Sequence, residues 1–432
     1  MQKPTITGEG KVSYLFLPFV PENKLSHAAL TGMLDSSPHW ERQTNHCGYM
    51  FRYISENLTN RDNCLCAHYV RTEIGQESAA KWQTGGSFYG NAASCLTFQI
   101  HAVHLFCFRT GMCIAALEIE PDSSDPVLIS SLHFCLKNAG RVIMERCGTQ
   151  ERLTPLAFLR QQINGVIPTE QASFSFLMEE RSIRANVLSF QELDEEADRE
   201  LGLFYLRRCY NETYEYQKDE ERDREELCSF AGNLYWGVTS EAAACVAVVK
   251  DSNRDFIRGS FFHNFRTNYL FMYILLLHQK YVLYRFLTQI GRCPHNRLEV
   301  LENYREELYD FETDYMFACI TEVPQYQLLY ERISHAFSLD ALYNDVHEPL
   351  QELRELRIAA RDRKLNLALT LLSLLSCASA MGDGLGLIDG AEQYLYRKYA
   401  LICDLSALVL LWGIIVAGTF LYVMYQLFRR DR

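Results

Sequence analysis

The 432-residue chain has no surplus of positive charge: 42 Lys and Arg stand against 54 Asp and Glu, a formal net charge of -12. That argues against a phosphate backbone as the main partner, because such binding runs on cationic contacts. No basic stretch interleaved with aromatics offers an RNA platform, so direct nucleic-acid binding is not expected. Met1 to Gly10 is polar and lacks the apolar core of a signal peptide, and none is expected. The fifteen cysteines are odd in number and scattered. Cys64 and Cys66 are the tight pair, and no second pair stands at zinc-site spacing. Cys95, Cys107, Cys113, Cys135 and Cys245 lie in apolar stretches and read as small core residues in a reducing compartment. Nucleophile-elbow, His-Glu metal-helix and kinase patterns are also missing, so nothing argues for an enzyme.

Long charge-free runs are present instead, near the C-terminus. Leu365 to Gly382 contains no charged residue. As a helix it would be ~27 Å long, close to the hydrocarbon thickness of a bilayer. Leu405 to Phe428 is also free of charge and would reach ~36 Å, enough to span with some tilt. The competing reading, a pair of buried core helices, is disfavoured by the length of these runs. Arg354, Arg357, Arg361, Arg363 and Lys364 precede the first run, and Arg429, Arg430 and Arg432 follow the second. Both flanks are therefore expected in the cytoplasm, with residues 383–404 as an external loop. Thr267 to Gln279 is uncharged but too short to span, and reads as a buried helix of the soluble part.

The remainder reads as mixed. Residues 11–20, 97–117 and 243–250 are rich in β-branched and aromatic residues and read as strands, with helical stretches such as Ser131 to Glu145 between them. The expectation is an α/β cytosolic domain over 1–255 and a helical and stalk region over 256–364. Transmembrane helices follow at 365–382 and 405–428, and a basic tail at 429–432. The acidic runs Gln191 to Glu200 and Lys218 to Glu226 read as solvated helix faces or loops. Pro324 marks a kink or boundary. Leu342, Val346, Leu350, Leu353, Leu356 and Ala360 recur at spacings of three and four, one apolar stripe that runs into the first span. Pro349 lies within it. A helix with so narrow a stripe needs neighbours, which points to a homo-oligomeric bundle.

Within the first span, Asn366, Thr370, Ser373 and Cys377 fall at spacings of four, three and four, on one helical face. They either line a hydrated path in a symmetric bundle or pack helix against helix. Asp383 either contributes to a carboxylate ring at the membrane edge or is a solvated terminus. In the soluble part, Arg258 to Asn268 (RGSFFHNFRTN) combines guanidiniums for phosphate, rings for stacking and amides for base edges. Arg258, His263, Asn264, Arg266 and Asn268 are its ligand-binding candidates, and the plain alternative is the ordinary start of the next helix. The glycine-rich Thr84 to Asn91 matches no nucleotide motif and reads as a turn.

This layout resembles the CorA family of magnesium transporters: an α/β domain, a long helix feeding a first span, a short external loop, a second span and a basic tail. Asn268 to Leu283 and Phe317 to Leu356 are similar to segments before and within the stalk of bacterial CorA-like proteins. The resemblance covers about residues 230–432. Those transporters carry Gly-Met-Asn just after the first span, where backbone and amide oxygens hold a hydrated cation. Here Ala380-Met381-Gly382-Asp383-Gly384 stands instead. The resemblance implies a homopentamer in the inner membrane of a prokaryote, with the N-terminal domain and C-terminus cytoplasmic. It is similar in this to the divergent CorA-like proteins beside type III CRISPR systems. For those it implies an antiviral membrane effector switched by a small nucleotide messenger. The alternatives are a transporter of Mg2+ or another cation with a degenerate filter, and a non-conducting membrane-anchored scaffold.

Overall fold

The computed structural model describes residues 10–21, 25–44, 47–59, 64–72, 81–84, 96–167, 172–194, 198–292 and 298–399, with positions 414 and 418. They divide into two compact units, Met1–Glu348 and Pro349–Arg432.

The first unit has mixed α and β content built on one large sheet. Its strands are β1 (Lys11–Pro21), β2 (Glu41–Gln43), β3 (Cys66–Arg71), β4 (Lys81–Thr84), β5 (Thr97–Phe108), β6 (Cys113–Pro121), β7 (Met144–Arg146), β8 (Arg152–Leu153), β9 (Ala172–Ser173), β10 (Asn186–Leu193), β11 (Leu227–Ala231), β12 (Leu234–Val238) and β13 (Ala242–Val248). The main path runs β11-β12-β13-β10-β1-β6-β5-β4-β7-β8, with β2 on β3, β3 also on β5, and β9 on the end of β1. Neighbours are antiparallel except β10 and β13, which are parallel. The apolar stretch 97–117, read from sequence as one strand, is a hairpin. Gly111 adopts φ +78 at its turn, a conformation a side chain resists. Pro18 sits in a central strand without breaking it. The β10 register ends at Phe16, and β9 pairing begins at Val20, so the missing N–H falls in the gap.

Both faces of the sheet are covered, which is why β1 and β13 are apolar at nearly every position. Helix α1 (His27–Asp35) lies on one face, α2 (Arg52–Thr59) packs beside β3, and α3 (Pro126–Leu136), α4 (Pro155–Ile163) and α5 (Arg199–Arg208) share the face of α1. Leu15, Leu17 and Phe19 enter a core there with Leu34, Leu132, Leu136 and Leu159. The starts of these helices are chemically marked. Ser26, Asp125, Thr154 and Asp198 each accept a backbone N–H of the first turn, and Pro126 and Pro155 open α3 and α4. The helix expected to run to Glu145 ends at Leu136, with Asn138 and Gly140 just beyond. A Cβ at Gly140 would fall 1.9 Å from the Glu180 carbonyl oxygen.

The short helix α6 (Glu220–Glu226) carries the second acidic run. On the opposite face from α3, wide π-type turns at Phe256–Phe261 and Phe265–Tyr269 flank Phe262–Asn264 and lead into α7 (Leu270–Arg292). Phe190 meets Phe261, Phe262 and Phe265 here, while Trp236 meets Phe265 and Tyr269. Residues 270–280 of α7 are all buried, so this apolar run is an internal helix of the unit. Then come α8 (Leu298–Tyr315) and α9 (Pro324–Ala336), where Pro324 occupies the first turn and marks a start.

Helix α10 covers Leu339–Tyr399 and contains Pro349. Val346 of its apolar stripe is buried, and the side chains at 353, 356 and 360 lie outside the described residues. The helix is continuous through Asp383 and across 384–399. Among the described residues no helix is long and apolar enough to cross a membrane. Within 365–382 the side chains at 377, 378, 380 and 381 lie outside the described residues, as does nearly all of 405–428.

Candidate functional site

Four neighbouring strands each contribute one polar side chain to the sheet face beneath the π-type turns: His68 on β3, His104 on β5, Glu118 on β6 and Tyr14 on β1. All four are at least nine-tenths buried. Register alone assembles them, since Tyr14 lies opposite Glu118, His104 opposite Ala116 and His68 opposite Phe106. Arg266 descends from the turn above and completes the row. Its guanidinium pairs with Glu118 and donates to the Tyr14 hydroxyl at 3.3 Å. On the other side His104 Nε2 meets Glu118 Oε2 at 2.8 Å, and His104 Nδ1 meets His68 Nε2 at 3.0 Å.

The carboxylate fixes the proton positions. Glu118 can only accept, so His104 Nε2 carries a proton toward it, and one further proton is shared between His104 Nδ1 and His68 Nε2. Burial alone would raise the Glu118 pKa. The His104 hydrogen bond and the nearby Arg266 charge outweigh that and hold it at about 2. Burial, with His104 adding to it, pushes His68 well below the usual imidazole range, so His68 is neutral. Burial also raises Tyr14, which stays a hydroxyl. The imidazole of His68 stacks on Phe106 with centroids 4.1 Å apart. Chemically the row is a hydrogen-bonded strut. It clamps the start of the long helical stretch to the middle of the sheet through a desolvated ion pair.

The segment Arg258 to Asn268 is thus partly structural. Arg266 joins the row. Arg258 makes a forked contact with Glu192, at 2.9 and 2.8 Å, on the surface. His263 is exposed. Asn268 Nδ2 donates to Asn264 Oδ1 at 3.2 Å, and the Asn268 Oδ1 atom is buried with no hydrogen-bond partner among the described residues. The two guanidiniums therefore face different carboxylates. Glycine-rich residues 85–91 lie outside the described residues.

On α10, Asn366 and Ser373 are exposed and Thr370 is half-buried. Thr370 Oγ1 donates to the Asn366 carbonyl at 2.7 Å and Ser373 Oγ to the Leu369 carbonyl at 2.9 Å, the usual resting place of hydroxyls in a helix. The Cys377 side chain lies outside the described residues, and Asp383 is exposed. Leu365, Leu367, Leu369, Leu371, Leu372 and Leu375 are 52–68% exposed. At 3.6 residues per turn they cover roughly 200° of the circumference, and the polar stripe fills the remainder.

Sequence reasoning found Arg266 but not its partners. Tyr14, His68, His104 and Glu118 are spread over more than a hundred residues. The available signal was a titratable residue inside an otherwise apolar strand. Among the described residues no group of three or more His, Cys, Asp or Glu side chains could hold a metal ion. The chain matches no family model, no curated protein and no solved structure.

Proposed function

We propose that the chain is a membrane-anchored, ligand-gated effector of CorA-like layout, acting as a homo-oligomer in which α10 lines a poorly selective pore. The observation that carries this is the exposed leucine surface of α10. Leucines over so much of a helix cost free energy in water and are at home in lipid or against neighbouring copies. The polar stripe Asn366, Thr370, Ser373 and Cys377 opposes that surface and suits the axis of a bundle. Asp383, in place of a neutral amide, gives a carboxylate ring rather than a magnesium filter.

The cytosolic unit supplies the switch in this reading. A nucleotide phosphate exchanges with Glu192 for Arg258, because the Arg258 side chain is half-exposed and pairs at the surface are worth little. Arg266 does not exchange, because its partner Glu118 is 4% exposed. The orphaned Asn268 Oδ1 adds an acceptor for a base edge. Expression with and without an active type III CRISPR complex, scored by membrane depolarisation, tests the proposal. Depolarisation that never depends on the complex overturns it. Growth rescue of a magnesium-transport-deficient strain would instead favour the transporter.

A further inference from the structure

The two helices α7 and α8 do not close fully on each other. Val282, Arg285, Phe286 and Gln289 share one face of α7, at spacings of three and four, and Asp310, Phe311 and Asp314 face them from α8. Between them lies a cleft of about 620 Å3, capped by Arg109 and Thr110 of the β5–β6 turn. That volume suits a small organic molecule. Its neighbourhood is aromatic and rigid: His278 stacks on Phe108 with centroids 3.7 Å apart, takes a 2.8 Å hydrogen bond with Thr110, and packs on Tyr315. Phe286 and Phe311 are nearly fully buried.

Several polar groups of this cleft are left unspent. Arg285 is committed, donating to the Thr110 carbonyl at 2.9 Å. Arg109, Asp310 and Asp314 line the same space, yet among the described residues none of their side chains makes an ion pair or hydrogen bond. The Gln289 Oε1 atom is buried with no hydrogen-bond partner among the described residues. A buried carbonyl oxygen without a donor costs about 1–3 kcal/mol, so the cleft has an unmet demand for an N–H group. Partial burial, with the neighbouring Asp310 charge adding to it, raises the Asp314 pKa against the opposing pull of Arg109. A cation placed between the two carboxylates would relieve both effects. Opposite charges that have not paired are here held apart by empty space.

We infer that this cleft binds a zwitterionic small molecule with an aromatic body. Its ammonium sits among Asp310, Asp314 and the Gln289 carbonyl. Its anionic group meets Arg109, and its ring lies against Phe286 and Phe311. The ammonium gains a carboxylate and a ring face together, a pairing that strengthens as water is excluded. The inference does not depend on the membrane reading.

Isothermal titration of the detergent-solubilised full chain tests it with three matched probes: tryptophan, tryptamine and indole-3-propionate. Tryptophan should bind at least about tenfold more tightly than either half-molecule, the worth of one added charge-assisted contact. Asp314→Asn should weaken tryptophan and tryptamine by about tenfold and leave indole-3-propionate unchanged. Arg109→Gln should weaken tryptophan and indole-3-propionate by about tenfold and leave tryptamine unchanged. The probe each variant leaves unchanged reports that its cleft is still folded. The inference is overturned if no probe saturates at concentrations up to about 10 mM. It is equally overturned if tryptophan gains nothing over its halves, or if each variant weakens all three probes alike.

Discussion

Replacing Arg266 by methionine should destabilise the first unit more than most single changes. The reason is the partner it leaves behind. The Glu118 side chain is 4% exposed, and burial alone would hold its charge in an unfavourable state. Removing one member of a buried ion pair costs about 3–5 kcal/mol, because the remaining charge is uncompensated. Methionine keeps much of the stem's packing, so the loss reports charge rather than volume. Glu118→Gln alone strands a guanidinium that is 21% exposed, and should cost less, about 2 kcal/mol. The double variant Arg266→Met, Glu118→Gln should recover at least about 1.5 kcal/mol relative to the sum of the singles. Urea unfolding of the full-length protein in detergent measures this, followed through Trp236, whose ring stands 5.9 Å from Phe265 in the same segment. A cost below about 1 kcal/mol for Arg266→Met, or additive singles, would refute the strut.

Acid should weaken the fold before its carboxylates titrate. Burial lowers His133 to about 3 and puts His68 and His278 well below the ordinary 6.5. The unfolded chain therefore binds three protons that the folded chain refuses, and stability falls as pH drops below about 6.5 by roughly 4 kcal/mol per unit. His278→Phe should flatten that slope by about a third in unfolding curves from pH 7 to 5, whereas an unchanged slope would count against the assignment. Glu118 acts lower: its depressed pKa adds stability above pH 4.5 that is lost as pH falls toward 2. Gly140→Ala should cost at least about 2 kcal/mol in thermal unfolding, because the new methyl meets backbone that cannot swing aside. On α10, Ser373→Leu should suppress ion flux by dewetting the axis while Leu374→Ser leaves it nearly unchanged. Asp383→Asn should lower cation flux most at low ionic strength, where screening is weakest. Equal effects of the Ser373 and Leu374 changes would mean that the stripe only packs helices.

The parts of the fold legible in the sequence were those set by local chemistry. The apolar run of α7 was legible as a buried helix because it is too short to span and is followed by Lys280 and Arg285. Burial holds the Lys280 ammonium down to about 8, and its nitrogen donates to the Ser240 carbonyl at 2.8 Å. Strands β1 and β13 were legible because both faces are covered and the apolar signal is continuous. The hairpin inside 97–117 was missed although Gly111 marks its turn, since hydrophobic residues on both sides hid the break. The π-type turns have no sequence signature. The polar row and the cleft are products of register and helix facing, which join residues as distant as Arg109 and Asp314. Arg266 was singled out for a phosphate, and the anion beside it in the structure is the Glu118 carboxylate of this chain.

The most direct test of the account is the position of α10's far end. Gly390→Cys and Arg363→Cys variants can be treated in intact cells with a membrane-impermeant thiol reagent, against the wild-type background. The account predicts that Gly390→Cys is labelled in intact cells and Arg363→Cys only after permeabilisation. Recovery of the chain in the soluble fraction, with neither position labelled until the cells are opened, would contradict it.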